Sequence, residues 1–164
     1  MKRQKYVNSL DKGSILFNVS CWVSEGGKRH VDLEEWHITT IQASRGMAKW
    51  ASDTFIPTKY VNLRLKSLYL TCDRDGNWLK SIPKHYRRQF KQGDDLPAGF
   101  YTTKLKALQY AIKDCEESVQ WYNDEIKDPE NADCIDVSVE ELEDYKVLLR
   151  MTKSRLTKFK RTGE

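Results

Sequence analysis

The sequence predicts an α+β fold in which a small antiparallel β-sheet domain is followed by a long antiparallel α-helical hairpin. Three observations carry that prediction. Near the N-terminus, and again after Pro57, apolar and polar residues alternate with the period of a half-buried strand. From Leu105 onward the apolar residues recur at steps of three and four, the seam of a helix packed lengthwise on a partner. Clusters rich in Gly, Asp, Asn and Pro separate these stretches, and such residues favour turns.

Ser14 to Val23 opens the sheet, with Ile15, Phe17, Val19, Cys21 and Val23 on one face and Leu16, Asn18, Ser20 and Trp22 on the other. Ser24-Glu25-Gly26-Gly27-Lys28 follows, and its double glycine suits a hairpin loop that needs positive φ. His30 to Ile41 should run back beside the first strand, with a bulge where the alternation slips at Glu34-Glu35. Ser44 to Trp50 reads as a short helix. Tyr60 to Leu70 alternates through Val61, Leu63 and Leu65, and the turn Asp73-Arg74-Asp75-Gly76-Asn77 leads into Trp78 to Ile82. These make four strands in two hairpins. Pro83 fits the first position of a short helix over Lys84 to Lys91, and Gly93 to Gly99 reads as a linker. The expected organisation is a β-rich domain over 1–92, a linker over 93–100 and a helical hairpin over 101–164.

Thr103 is the expected N-cap of the first long helix, whose seam runs Leu105, Leu108, Ile112, Cys115, Val119, Tyr122, Ile126. Lys127-Asp128-Pro129 stops it, because proline disfavours the helical conformation in the residue before it. Ser138-Val139-Glu140-Glu141 reads as a capping box opening the second helix, with Leu142, Tyr145, Leu149, Thr152, Leu156 and Phe159 as its seam. A link of about ten residues favours an antiparallel pair. Surplus apolar positions, Tyr110, Ala111 and Trp121 on one helix and Val147 and Met151 on the other, call for a further surface: the rest of the chain, or a second copy in a homodimer.

Charge polarises this hairpin. Between Asp114 and Asp144 stand thirteen carboxylates against Lys127, although the whole chain is net +4. An antiparallel fold gathers the acids at one tip and Lys104, Lys106, Lys153, Arg155, Lys158, Lys160 and Arg161 at the opposite base. The helix dipole accounts for acids at the start of the second helix and bases at its end, but not for acids at the end of the first.

Several chemistries find no support. No apolar run approaches the 18 residues of a membrane span and the basic start lacks a signal peptide's apolar stretch, so a cytoplasmic protein with no membrane partner is expected. Cys21, Cys72, Cys115 and Cys134 lack the short spacings of zinc or redox motifs, and buried free thiols are expected; no metal and no cofactor is implied. His37-Ile38-Thr39 is half of a two-histidine phosphoesterase motif, but neither His30 nor His85 supplies the second half. Asp73-Arg74-Asp75-Gly76 would close a calcium loop on Lys84 instead of a glutamate. No catalytic residue is assigned, and a small phosphodiesterase or nuclease is the weakest of the readings kept.

What the sequence offers is a basic and aromatic surface. Lys80, Lys84, Tyr86, Arg87, Arg88 and Lys91, joined by Lys153, Arg155 and Lys158 from the hairpin base, have the composition that grips phosphates and stacks on bases. This predicts a non-catalytic binder of nucleic acid or nucleotide. The alternative is a protein–protein inhibitor that presents Glu116, Glu117, Asp124, Glu125, Glu140 and Glu141 at the acidic tip to a basic host or defence enzyme. The charge-rich β-domain, the Gly99-Phe100-Tyr101-Thr102-Thr103-Lys104 entry and the long helical hairpin together resemble, in overall style, the small accessory proteins of T4-like bacteriophages. That resemblance implies a non-enzymatic, anti-defence or host-modifying factor acting in the host cytoplasm.

Overall fold

A computed structural model describes residues 3–5, 10–43, 58–66, 86–128 and 134–163. Four strands, β1 (Ile15–Val23), β2 (Arg29–Ala43), β3 (Lys59–Lys66) and β4 (Arg87–Lys91), precede two helices, α1 (Lys104–Glu125) and α2 (Ile135–Thr162). The strands form one antiparallel sheet in the order β1-β2-β3-β4, so the α+β expectation holds. The chain divides into two compact units that do not follow chain order: a helical unit of residues 18–33 and 103–164, and a sheet unit of residues 2–17 and 34–102. The first β-hairpin thus contributes to both, where a break at 93–100 was expected.

In the sheet unit, Leu16, Trp36, Ile38, Val61, Leu63, Leu65 and Phe90 meet Leu10, Leu96 and Phe100 in one buried cluster. Every second residue of β3 enters it, as a pleated strand with one covered face requires. In the pairing of β2 with β3 the register shifts between Ile38 and Thr40, where Thr39 is skipped. On either side of Glu34-Glu35, Val31 belongs to the core of the helical unit and Trp36 to that of the sheet unit. The expected linker is also part of the sheet unit's core: Leu96 is fully buried and its N–H donates to the Gln4 carbonyl at 2.8 Å. Phe100 meets Trp36 edge to face at 5.5 Å, and Tyr101 exchanges two backbone hydrogen bonds with Phe17.

The segment read as a helix over Lys84 to Lys91 is corrected, because Arg87–Lys91 is a strand. Tyr86 and Phe90, four apart, imitate a helical stripe. The β3 ladder instead pairs Leu63 with Arg88 and Val61 with Phe90. Arg88 lies over the buried Trp36 ring, 5.5 Å from its centroid, so a long cationic side chain does the covering that an apolar one would do in a regular strand. The expected helix at 44–50, the turn at 73–77, the strand at 78–82 and residues Lys80 and Lys84 lie outside the described residues.

In the helical unit, α1 and α2 run antiparallel: Tyr122 stacks on Tyr145, ring centroids 5.6 Å apart, and Glu116 pairs with Lys153 at 2.8 Å. Thr103 caps α1 as expected, its hydroxyl accepting from the Lys106 N–H. The capping box at Ser138 is corrected. The second helix starts a turn earlier, with Cys134 as N-cap, and Ser138 is buried on the same stripe as Leu142. The seam of α1 is also rotated, since Ala107, Leu108, Ala111 and Cys115 are buried while Leu105 is exposed. α2 ends at Gly163, whose φ of 76° only glycine adopts cheaply, with its N–H returned to the Phe159 carbonyl at 2.8 Å. Val31, Cys115 and Leu148, with Val19, Cys21, Val23, Tyr145 and Leu149, form the core between the β-hairpin end and the helices. Among the described residues no helix is long and apolar enough to cross a membrane.

Candidate nucleic-acid interface

The residues of β3 that alternate with its buried ones, Tyr60, Asn62, Arg64 and Lys66, share a sheet face with neighbours on β2 and β4. Its centre is a polar ladder across three strands. Gln89 donates from Nε2 to Asn62 Oδ1 at 2.8 Å, and Asn62 donates from Nδ2 to Thr40 Oγ1 at 2.9 Å. On one side of the ladder Arg64 stands directly opposite Arg87; on the other Tyr60 stands opposite Lys91. Both arginines are exposed, and among the described residues neither makes an ion pair. Like charges directly opposite on adjacent strands repel and destabilise a sheet. On β2 the Glu35 carboxylate is engaged by Lys66 at 3.6 Å and lies 3.9 Å from His37 Nε2. His37, opposite Arg64, keeps that Nε2 buried and without a hydrogen-bond partner among the described residues.

The single patch expected from Tyr86, Arg87, Arg88 and Lys91 is therefore divided. Strand alternation puts Arg87 and Lys91 on the polar face and turns Arg88 to the side of Trp36. Tyr86 packs against the core and is not a free stacking platform. Tyr60, Asn62, Arg64 and Gln89 were not singled out from sequence. Their signal was present, since they are the polar half of the alternation that identified the strand.

The hairpin candidates separate as well. Lys153 is held by Glu116 midway along the pair, so neither belongs to an end of the rod. Glu117 likewise pairs with Lys113 one turn away at 3.3 Å, and Asp124 accepts two hydrogen bonds from Gln120. Glu140 and Glu141 are exposed at the tip with Trp121, Val137 and Val139, and Glu125 is half-buried there. Burial first, and the Glu141 charge second, push the Tyr122 and Tyr145 hydroxyls above the usual tyrosine range. Arg155 and Lys158 line a hollow of about 700 Å³ with Val31, Val147, Arg150, Met151 and Ser154. Arg155 turns one N–H inward to the Val31 carbonyl.

Of the described cysteines, Cys115 is buried and Cys21 half-buried, but Cys134 is exposed, so the expectation of buried thiols fails for that one. A hydrogen bond from Cys115 holds the Cys21 thiol below its ordinary value; the same bond, with burial, pushes Cys115 up. Among the described residues no group of His, Cys, Asp and Glu is arranged to hold a metal ion. No protein-family model matches the chain, and neither a curated protein nor a solved structure shows significant similarity to it.

Proposed function

We propose that the protein is a non-catalytic nucleic-acid-binding protein that uses the polar face of β3 and β4. The observation that carries this reading is the exposed Arg64–Arg87 cross-strand pair beside a hydrogen-bonded amide ladder, with Lys91 on the ladder's far side. A phosphate between the two guanidiniums converts their repulsion into two charge-assisted contacts, and Asn62, Gln89 and Tyr60 offer polar and flat surface beside it. The test is fluorescence anisotropy with a labelled single-stranded oligonucleotide at rising salt. Affinity should fall steeply with ionic strength. Charge reversal of Arg64 and Arg87 together should weaken it about a hundredfold and lower the salt slope by about 0.7, the share of the one phosphate they hold on a single strand. Flat salt dependence, or a double variant that binds like the parent, would sink the proposal.

A second reading rests on the opposite chemistry at the hairpin tip. Trp121 is 57% and Val137 64% exposed, at the end that also carries Glu125, Glu140 and Glu141, which is the composition of a surface that docks a basic protein. Reversal of Glu140 and Glu141 should abolish capture of a protein partner from nuclease-treated lysate and leave oligonucleotide affinity unchanged. If capture survives the reversal, the tip is not the docking surface.

A further inference from the structure

The hollow on α2 lies entirely within the helical unit and has the makings of a small-molecule site. Arg150, Ser154 and Lys158 are four residues apart and form one row along the helix surface; Val147, Met151 and Arg155 form the adjacent row. Val31 of β2 completes the wall. A volume of about 700 Å³ falls within the range of small-molecule sites, roughly 300–1,000 Å³. Among the described residues three cationic side chains line it and no carboxylate does. Arg155 donates from Nη1 to the Val31 carbonyl, and a guanidinium has five N–H donors in all. That contact narrows the orientations open to the remaining donors, which lowers the entropic cost of binding. Beside this cationic row Val147, Val31 and the exposed Met151 present an apolar wall. Thioether and aliphatic side chains of that kind pack readily on a flat ring.

We propose that this hollow binds a nucleoside polyphosphate, with its phosphates on Arg150, Arg155, Lys158 and the Ser154 hydroxyl and its base against Val147 and Met151. Three cations call for a ligand with several negative charges close together, which a single-headed fatty anion lacks. Inorganic polyphosphate satisfies the cations but leaves the apolar wall wet. A nucleotide uses both halves. The site is independent of the sheet face, and the experiment keeps the two apart.

Calorimetric titration of the full chain with ADP, ATP, adenosine and pyrophosphate tests it. ADP or ATP should bind in the micromolar range, at least tenfold tighter than adenosine or pyrophosphate alone. Arg150→Glu and Lys158→Glu change exposed positions and should each weaken ATP at least tenfold, with Arg150→Gln shifting it in the same direction. Met151→Ser, which removes the wall without adding charge, should weaken ADP and leave pyrophosphate little changed. Lys12→Glu, at an exposed cation outside both candidate sites, should leave all four titrations unaltered. Absence of saturable ADP and ATP binding up to about 1 mM overturns the proposal. So does pyrophosphate binding as tightly as ADP, or nucleotide affinity that is lost in Arg87→Glu and kept in Arg150→Glu.

Discussion

The hairpin and the polar sheet face are both crowded with charge, but they dispose of it in different ways. Along the middle of α1 and α2 several charges are answered: Glu116 by Lys153, Asp144 by Arg29, Glu143 by Lys146, and the end of α2 by Lys160 and Arg161 against its dipole. On β3 and β4, Arg64 faces Arg87 and no carboxylate among the described residues answers them. Helical periodicity lets opposite charges three or four residues apart meet, whereas a strand meets only its cross-strand neighbours, so a like pair there cannot be relieved locally. An unanswered pair on a rigid sheet is an opening for an outside anion. Answered pairs on a helix are structure.

The comparison can be broken in several places. The largest expected effects lie in the two cores, which should be equally close-packed if charge alone distinguishes the regions. Leu63→Ala in the sheet unit and Leu148→Ala in the helical unit should each cost about 2–5 kcal/mol in urea unfolding. A cost well under 1 kcal/mol for either would show a loosely packed core in that unit.

Next comes an answered charge. Arg29 donates from Nε to Asp144 Oδ1 at 2.7 Å, and the Asp144 side chain is only 13% exposed. Asp144→Ala leaves a half-buried guanidinium without its carboxylate, and should cost about 1–3 kcal/mol, less than a fully buried pair because Arg29 reaches solvent. Thermal unfolding of Asp144→Ala beside Asp144→Asn measures it.

Alkaline pH gives a smaller effect with a defined sign. Tyr122 and Tyr145 titrate higher folded than unfolded, because burial and the Glu141 charge oppose the phenolate. Above the unfolded value of about 10 the unfolded chain has released protons that the folded hairpin retains, so stability falls as pH rises. Tyr145→Phe should make that fall shallower in stability measured on either side of pH 10, and Glu141→Gln should do so to a lesser degree. Equal slopes in the parent and Tyr145→Phe would exclude this origin.

The smallest effect has the opposite sign. Arg87→Thr removes one member of the like-charged pair and places a β-branched residue in the strand, and should stabilise the protein by about 0.2–1 kcal/mol while weakening oligonucleotide binding. A gain in stability coupled to a loss of binding is what a surface shaped for a ligand predicts. Destabilisation by Arg87→Thr would instead make Arg87 a structural residue.

Much of this was legible in the residues themselves. The alternation of Val61, Leu63 and Leu65 marked β3, the three-and-four spacing from Leu108 to Tyr122 marked α1, Thr103 marked its cap, and Gly27 marked the tight turn, where its φ is 72°. Those features are local, fixed by sterics and periodicity within a few residues. What lay beyond the sequence was decided by distant partners. Arg87–Lys91 became a strand because β3 offered it a ladder, Leu96 and Phe100 left the linker for the core because apolar surface was waiting there, and Lys153 was claimed by Glu116 from another helix. Composition could say that the chain carries a surplus of cations. Only the folded register could decide which of them stand unanswered, because whether a charge is neutralised depends on what lies a few ångströms away in space.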